Sequence, residues 1–281
     1  MKISVAIPCY NKENLIGNCV RAVLKQSRPP DELIVVDDGS VDGSLSVLQN
    51  LPVKLIVHDQ NQGPAAARNT ALKAASGDVI LYIDSDAYSR TNLIENLEEY
   101  YKAVEDNQVG GVGGRGVEQN LQSIYDHWRL LHARQDYGLR NRKNVLYLFG
   151  LCMSYRRDVL EKIGGFDTFF RVNAGEDLDV GLRIRAAGYR LDYLPEAIVD
   201  HYHCDTLESL LRVQYNWTYW GYITLKRNHS YPFRLIVGTI RRLIFDTTRD
   251  LLIRRNPGLA AIDLKVFRER LKALYDVRRN S

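Results

Sequence analysis

Two aspartates one residue apart follow an apolar segment in the stretch YIDSDA, residues 82–87. Carboxylates this close repel and raise each other's pKa, whereas a cation held between them removes that penalty. Hard oxygen ligands suit Mg²⁺ or Mn²⁺, ions that keep part of their coordination for substrate phosphates. Asp84 and Asp86 therefore indicate a divalent-metal site; the alternative is two solvated loop carboxylates.

A second acidic pair, Glu176-Asp177, begins a helical pattern that ends at Gly188. The helix dipole stabilises carboxylates at a helix N-terminus, so capping alone could explain the pair. A chemical role is the alternative, because a positioned carboxylate can remove a proton from a reacting hydroxyl. Further along, His201 could add a metal ligand, although a histidine satisfied within the core is the commoner case.

Strands and helices alternate through the first half of the chain and would position these side chains. Near-continuous apolar strands of this kind predict a parallel sheet covered by helices on both faces. Ligands bind beyond the carboxyl ends of such strands, so we expect Asp38, Asp59 and Asp84 to meet at one rim. The four predicted strands are residues 2–8, 32–38, 53–59 and 78–84.

The stretch VGGVGGRGVE, residues 109–118, holds five glycines in ten residues. This density indicates a strand with a bend or a close backbone approach. It does not open a helix with G-x-G-x-x-G, so a dinucleotide fingerprint is excluded. The four cysteines are scattered, which argues against a disulfide framework or a structural zinc site and favours a reducing compartment.

The charge is unevenly distributed along the 281 residues. Residues 205–281 carry a net charge of +8, whereas the remainder carries −4. A basic segment can meet a phosphate-rich partner or simply form a solvated helical face. The pattern after residue 205 is mostly helical, and we expect neither a signal peptide nor a membrane-spanning segment.

Six segments occur together in one order and, as a set, they resemble the family 2 glycosyltransferases of the GT-A fold. The resemblance implies an α/β, mainly parallel sheet covered by helices. It implies a catalytic domain over 1–204, with a nucleotide-sugar half (about 1–108) and an acceptor half (about 109–204), followed by a basic helical extension, 205–281. The segments are SVAIPCYN (4–11), VVDDGSVDGS (35–44), NQGPAAARN (61–69), YIDSDA (82–87), YRRDVLEKIGGFD (155–167) and GEDLDVGLRIRAAGYRL (175–191).

The resemblance places Asp38 on the nucleobase, where a carboxylate can accept from the imino N–H of uracil; an Asx turn is the alternative. Asp86 would bind Mn²⁺ or Mg²⁺, with His201 as a further ligand. Arg68 would contact phosphate or pair with a strand-end aspartate, two roles that stay open here. The residues expected to bind the nucleotide-sugar are Pro8, Tyr10, Asp38, Asn61, Gly63, Arg68, Asp84 and Ser85.

The family uses the aspartate of the E-D pair as general base, so the resemblance assigns this role to Asp177, with Glu176 as an acceptor contact or an orienting residue. The implied reaction is the inverting, metal-dependent transfer of one hexosyl or N-acetylhexosaminyl group from a nucleotide-sugar to a glycan or lipid-linked acceptor. A UDP-sugar is the expected donor, and the product would serve cell-surface polysaccharide or glycoconjugate synthesis. The expected acceptor-side residues are Phe166, Asp167 and Trp217.

Two other functional classes fit the sequence less well. A sugar nucleotidyltransferase would need a glycine-rich, lysine-bearing loop after the first strand, where this chain has PCYNKEN. A nucleotide-sugar-binding or membrane-scaffolding protein without turnover is disfavoured by the presence of Asp86 and Asp177.

Residues 232–255 mix an apolar stripe with arginines and could lie on an anionic membrane surface. A helix docked on the catalytic domain or on a partner in a homodimer is the alternative. We therefore expect a cytoplasmic protein, peripheral on the inner face of the cell membrane, with no nucleic-acid partner.

Overall fold

The structure is a computed structural model that describes residues 1–104, 108–229 and 233–280. Side chains are described for these residues except 233–236 and 280. The chain divides into two compact units, residues 1–119 with 135–202, and residues 120–134 with 203–281. Residues 120–134, which the sequence analysis placed in the acceptor half, therefore belong to the second unit.

The first unit is an α/β structure built on one large sheet. Its first four strands pair in parallel in the order β3-β2-β1-β4, as their apolar runs predict. Helices connect them, so the carboxyl ends of these strands lie along one rim. The elements are β1 (Ile3–Cys9), α1 (Ile16–Leu24), β2 (Glu32–Asp37), α2 (Ser44–Leu48), β3 (Lys54–Val57), α3 (Pro64–Ala74) and β4 (Val79–Ile83).

The sheet continues as β4-β8-β6-β9-β5, with β7 paired to β9. Only the β6–β9 pair is parallel in this part; β8 runs against β4 and β6, and β5 and β7 run against β9. The elements are β5 (Ala87–Ser89), α4 (Leu93–Ala103), β6 (Val109–Glu118), β7 (Arg142–Val145), β8 (Cys152–Arg156), α6 (Arg157–Lys162), α7 (Glu176–Ala186) and β9 (Arg190–His201).

Both faces of the sheet are buried. Along β4, Leu81 and Ile83 pack into one apolar layer, whereas Ile80 and Tyr82 pack into the layer on the opposite face. Successive side chains of a strand point to opposite faces, so a strand covered on both sides must be apolar at every position. The rigid central strand β4 thus carries Asp84 and Asp86 directly beyond its end.

The glycine-rich strand β6 confirms the predicted close backbone approach. A Cβ atom at Gly114 would lie 2.3 Å from the carbonyl oxygen of Ala197 and 2.6 Å from Cys152 Sγ. The register with β9 also shifts between Gly113 and Arg115, which gives the strand its irregularity. Glycine is therefore required where β6 passes between its neighbours.

The second unit is helical. It contains α5 (Ile124–His132), α8 (Leu207–Arg227), α9 (Phe233–Thr248), a π-helical turn (Arg249–Ile253) and α10 (Pro257–Asn280). Trp128 of α5 is buried in its apolar cluster with Leu210, Leu259, Ile262 and Val266. Within the described residues, no helix has the length and apolar character needed to cross a membrane.

Replacement of Gly114 by alanine tests the crowding at β6. We expect the free energy of unfolding to fall by about 1–3 kcal/mol, the usual cost of overpacking, because backbone and sulfur atoms must move aside. Chemical denaturation measures the change. Gly238→Ala in α9 is the control, since no described atom outside its own helix backbone and chain neighbours lies within 4 Å of the added Cβ. Equal effects of both substitutions would contradict the crowding at Gly114.

Candidate active site

Arg68 lies at the centre of the rim formed by the strand ends. It sits in the second turn of α3 and is only 1% exposed. Its Nη2 donates to Asp84 Oδ1 at 3.0 Å, and its Nη1 donates to Glu176 Oε1 at 2.8 Å. Burial by itself would lower the pKa of Arg68, but the charges of Asp84 and Glu176 outweigh it and raise that pKa. Of the two roles left open, the structure shows the ion pair.

The surroundings of this guanidinium are shaped to hold it. A Cβ at Gly150 would come within 3.2 Å of Arg68 Nη2, so a larger residue would crowd the pair. The ring centroid of Phe166 lies 5.6 Å from Arg68 Cζ, and Phe166 is only 2% exposed. Phe166 therefore supports Arg68 from the core, and its expected place on the acceptor side stays a prediction.

Asp86 lies between two basic side chains. Lys12 Nζ is 2.7 Å from Asp86 Oδ2, and His201 Nε2 is 3.7 Å from Asp86 Oδ1. The His201 Nδ1 atom pairs with Glu118 Oε2 at 2.9 Å. A carboxylate can only accept, so Glu118 keeps the proton on Nδ1 and leaves Nε2 facing Asp86. Carboxylate support behind a histidine is the arrangement found behind metal-binding imidazoles.

These contacts fit a cation at Asp86. The side chain is largely buried, and in this structure the Lys12 ammonium supplies the positive charge beside it. Sequence reasoning missed both Lys12 and Glu118. Lys12 directly follows the quoted segment 4–11, so its place was available from the sequence, whereas Glu118 reaches His201 only through the pairing of β6 with β9.

Asp38 holds the loop that leads into α3. Its Oδ1 accepts from the backbone N–H of Gln62 at 3.0 Å, and its Oδ2 accepts from that of Gly63 at 2.8 Å. His58 Nδ1 lies 2.6 Å from the same Oδ1. Gly63 has φ +95°, a backbone conformation that favours glycine, and the loop therefore depends on it. Contact of Asp38 with a nucleobase stays a prediction.

The neighbouring Asp37 is buried at the end of β2. Its Oδ2 accepts from Ser40 N–H at 3.2 Å, while its Oδ1 makes no hydrogen bond within the described part of the chain. A buried acceptor of this kind is costly unless something donates to it. Asp37 therefore carries a buried carboxylate oxygen that lacks a donor among the described residues.

Glu176 and Asp177 begin α7, after Gly175 at φ +90°. Burial raises the pKa of Glu176, although Arg68 opposes the shift. Burial and the adjacent charge of Glu176 raise the pKa of Asp177 to about 7. Asp177 Oδ1 accepts from the N–H of Leu178 at 2.7 Å. A carboxylate that gains and loses its proton near neutral pH is suited to general-base work.

An aromatic cluster lies close to this base. The centroid of the Phe149 ring is 5.0 Å from that of Tyr137 and 5.1 Å from that of Tyr147. Burial raises the pKa of Tyr137 to about 12, and the charge of Asp177 adds to that effect. Aromatic faces suit contact with the apolar faces of sugars, which sequence pattern alone did not assign to residues 147 and 149.

The remaining predicted residues are spread more widely. Pro8 lies within β1, Tyr10 and Asn61 are exposed, and Ser85 is buried next to the two aspartates. Asp167 Oδ1 accepts from Phe169 N–H at 2.9 Å and so shapes its own loop. Trp217 lies on α8 of the second unit, partly buried against the Trp128 cluster.

Comparison with known sequences finds two family profiles that match this chain. The Glycosyl transferase family 2 profile matches residues 4–164, and the profile of the N-terminal domain of galactosyltransferase matches residues 129–206. The poly(ribitol-phosphate) beta-glucosyltransferase of Bacillus spizizenii is 38% identical over 136 residues, which is 43% of this chain and 21% of that protein. Across the first curated relatives, the matched part spans 21% to 66% of their length.

Two solved structures share the fold. A mannosyltransferase from Pyrobaculum calidifontis, in complex with GDP-Man and Mn²⁺, is similar with a TM-score of 0.68 and 20% identity over 98% of this chain and 87% of its own. Residues 1–349 of S. aureus TarS, in complex with UDP-GlcNAc, give 0.61 and 19% over 99% and 80%. At these identities the likeness shows the GT-A fold, as the sequence predicted.

Loss of Arg68 should destabilise the first unit. Arg68→Met leaves Asp84 and Glu176 without their common partner, and we expect the free energy of unfolding to fall by about 3–5 kcal/mol, the usual cost of breaking a buried pair. Lys102→Met is the control, since Lys102 is exposed and its 3.3 Å pair with Glu98 should contribute less than about 1 kcal/mol. Similar denaturation midpoints for the two variants would refute the central role of Arg68.

Proposed function

The chain belongs to Glycosyl transferase family 2, and we propose that it transfers one sugar from a UDP-sugar to an acceptor hydroxyl, with inversion and with a divalent metal. The supporting observation is the arrangement at the rim. Asp86 forms an ion pair with Lys12, and the pKa of Asp177 is raised to about 7. Arg68 forms ion pairs with Asp84 and Glu176, which lie close to Asp86 and Asp177 along the chain.

Asp38 and Asp37 support a uracil-containing donor. Uracil has an imino N–H, which can donate to a carboxylate at the end of β2. Asp37 Oδ1 has no hydrogen bond among the described residues. Asp38 Oδ2 accepts from Gly63 N–H, and because a carboxylate oxygen has two lone pairs, Asp38 can accept one more donor there. The fold neighbours carry GDP-Man in one case and UDP-GlcNAc in the other, so the base is a proposal for this chain.

The residues around Asp86 fit Mn²⁺ or Mg²⁺. Asp86 and the His201 nitrogen backed by Glu118 would make a partial ligand set, the donor phosphates would complete it, and the Lys12 ammonium, which is not a ligand, would move aside. A bound divalent cation would supply Lewis-acid stabilisation of the departing diphosphate. Lys12 would then be released to contact a phosphate oxygen.

Asp177 is proposed to remove the proton from the acceptor hydroxyl as its oxygen attacks the anomeric carbon. The bond to the diphosphate oxygen breaks on the opposite side of the sugar ring, so one displacement inverts the configuration. Glu176, held by Arg68, fixes the start of α7 and hence the position of Asp177. The aromatic cluster of Tyr137, Tyr147 and Phe149 is proposed to face the acceptor.

For the acceptor we propose a glycan or a lipid-linked glycan in cell-surface polysaccharide or glycoconjugate synthesis. We also propose that the protein works in the cytoplasm, peripheral on the inner face of the cell membrane, through part of residues 232–255. Pro232 and the side chains of 233–236 belong to that segment and lie outside the described residues.

Calorimetric titration tests the donor site. We expect UDP to bind in the presence of Mn²⁺ and to bind at least about tenfold more weakly without it, because the divalent cation would join the diphosphate oxygens to Asp86. Asp86→Asn should remove the metal dependence. Asp158→Asn, an exposed carboxylate on α6, is the control. If GDP or dTDP binds and UDP does not, the base is misassigned; if none binds, the transferase proposal fails.

Asp177→Asn tests the base. UDP release from UDP-glucose or UDP-N-acetylglucosamine, with water as acceptor, should fall by roughly 10²–10⁴-fold, while UDP binding is unchanged. In the unmodified protein, kcat/KM should decline as pH falls below about 7, because the protonated carboxyl cannot accept the proton. A variant with normal turnover, or a flat profile through that range, would exclude Asp177 as the base.

A further inference from the structure

Helix α9 and the π-turn that follows it have their polar side inward. Thr239 and Asp250 are 5% and 0% exposed, and most of Asp246 is covered. On the outer side, Ile244 and Phe245 are each 63% exposed, and Leu252 and Ile253 are 73% and 74% exposed. A helix on the surface of a soluble protein normally shows the opposite arrangement.

Two inward aspartates of this segment pair with basic side chains. His132 Nε2 lies 3.0 Å from Asp250 Oδ2, and His132 Nδ1 lies 3.4 Å from Asp246 Oδ1. Arg254 forms an ion pair with the other oxygen of Asp250. Burial would lower the pKa of His132, but the hydrogen bond to Asp246 and both aspartate charges raise it. This network fixes the rotation of the helix, so its apolar side cannot turn inward without breaking buried ion pairs.

The outward apolar side chains lie on one side of the helix, with exposed Arg241 and Thr248 among them. Val237, Ile240 and Ile244 recur at helical spacing, and the wider π-turn then presents Leu251, Leu252 and Ile253 before the chain turns at Asn256 into α10. Burial of one such side chain is worth about 1.5–3 kcal/mol. A set of this size marks a surface that meets an apolar partner. We call it the outer apolar face and define it as Val237, Ile240, Ile244, Phe245, Leu251, Leu252 and Ile253.

Exposed arginines lie within or next to the outer apolar face along the chain, at 241, 242, 249 and 255. In a symmetric contact between two copies, the same face would meet itself and bring these arginines together. An anionic bilayer instead offers acyl chains to the apolar side chains and phosphate headgroups to the guanidinium groups. Charge complementarity therefore favours lipid over a second copy of the chain.

We propose that the outer apolar face inserts into the headgroup region of an anionic membrane, with its arginines on lipid phosphates. The helix lies in the plane of the interface, as interfacial amphipathic helices do. The inference deepens the peripheral location proposed above and rests on it. It names the side chains and the partner: a bilayer rich in anionic phospholipid.

Co-sedimentation with vesicles tests the inference. The full chain should sediment with vesicles of equimolar phosphatidylglycerol and phosphatidylcholine, and much less with pure phosphatidylcholine. Leu252→Glu and Phe245→Glu should each weaken binding at least about tenfold, because a charge replaces an inserted apolar side chain. Leu139→Glu is the matched control: Leu139 is 71% exposed but belongs to the first unit, and its variant should bind normally.

A second set of variants tests the contribution of the arginines to vesicle binding. Arg241→Gln with Arg242→Gln should lower binding to the anionic vesicles by about fivefold for each residue, since a basic residue near such a surface contributes about 1 kcal/mol. Added salt should weaken the unmodified protein's binding in the same direction. Binding that is equal on both vesicle types would overturn the arginine–phosphate part of the proposal.

Two measurements separate the alternatives. Sedimentation equilibrium without lipid reports self-association: a dimer that Leu252→Glu dissociates, with no vesicle binding, would assign the face to a second copy and overturn the proposal. UDP binding with Mn²⁺, followed in the same variants, should not change. Loss of vesicle binding with intact UDP binding concerns the membrane alone, whereas absence of UDP binding in the unmodified protein concerns the transferase assignment.

Discussion

The rim of the sheet depends on one guanidinium. Arg68 is buried on α3, yet the carboxylates that it joins come from the end of β4 and the start of α7, 16 and 108 residues away along the chain. Removal of a charge this deep from water is costly unless both partners are present. The ion pairs therefore tie three elements together, and the positions of Asp86 and Asp177 follow from that connection.

The acidic side chains of the rim depend on nearby positive charges. Asp84, Asp86, Glu176 and Asp177 are acidic, and Arg68 and Lys12 supply the described positive charges in contact with three of them. Asp177 has no ion pair of its own among the described residues, and its pKa rises to about 7. Burial and the adjacent charge of Glu176 raise the pKa of Asp177, whereas the Lys12 ammonium neutralises Asp86, so the two carboxylates differ in their electrostatic surroundings.

Sequence pattern predicted the fold and the acidic rim well because both follow from local rules. Apolar runs along β1, β2 and β4 require a sheet buried on two faces, and strand ends must lie on one edge. Contacts between distant segments could not be read in the same way. The pairing of Glu118 with His201 depends on the register of β6 and β9. The contact of the Phe166 ring with Arg68 depends on how two distant segments pack together. For α9, the residue spacing indicated an apolar and a polar face but not which face is buried. The ion pair of His132, on α5, with Asp250 places the polar face inward.

The position of Lys12 has a consequence for how the site fills. Because its ammonium already neutralises Asp86, a divalent ion can enter only by exchange with it, and the gain is the difference between two cations. An ion arriving alone would leave Lys12 without a counter-charge. A nucleoside diphosphate brings negative charge of its own, which would accept Lys12 as the ion takes its place. At the proposed cation site, occupancy would therefore be cooperative between metal and nucleotide: free metal at low concentration would bind weakly, and the metal–diphosphate complex would bind better.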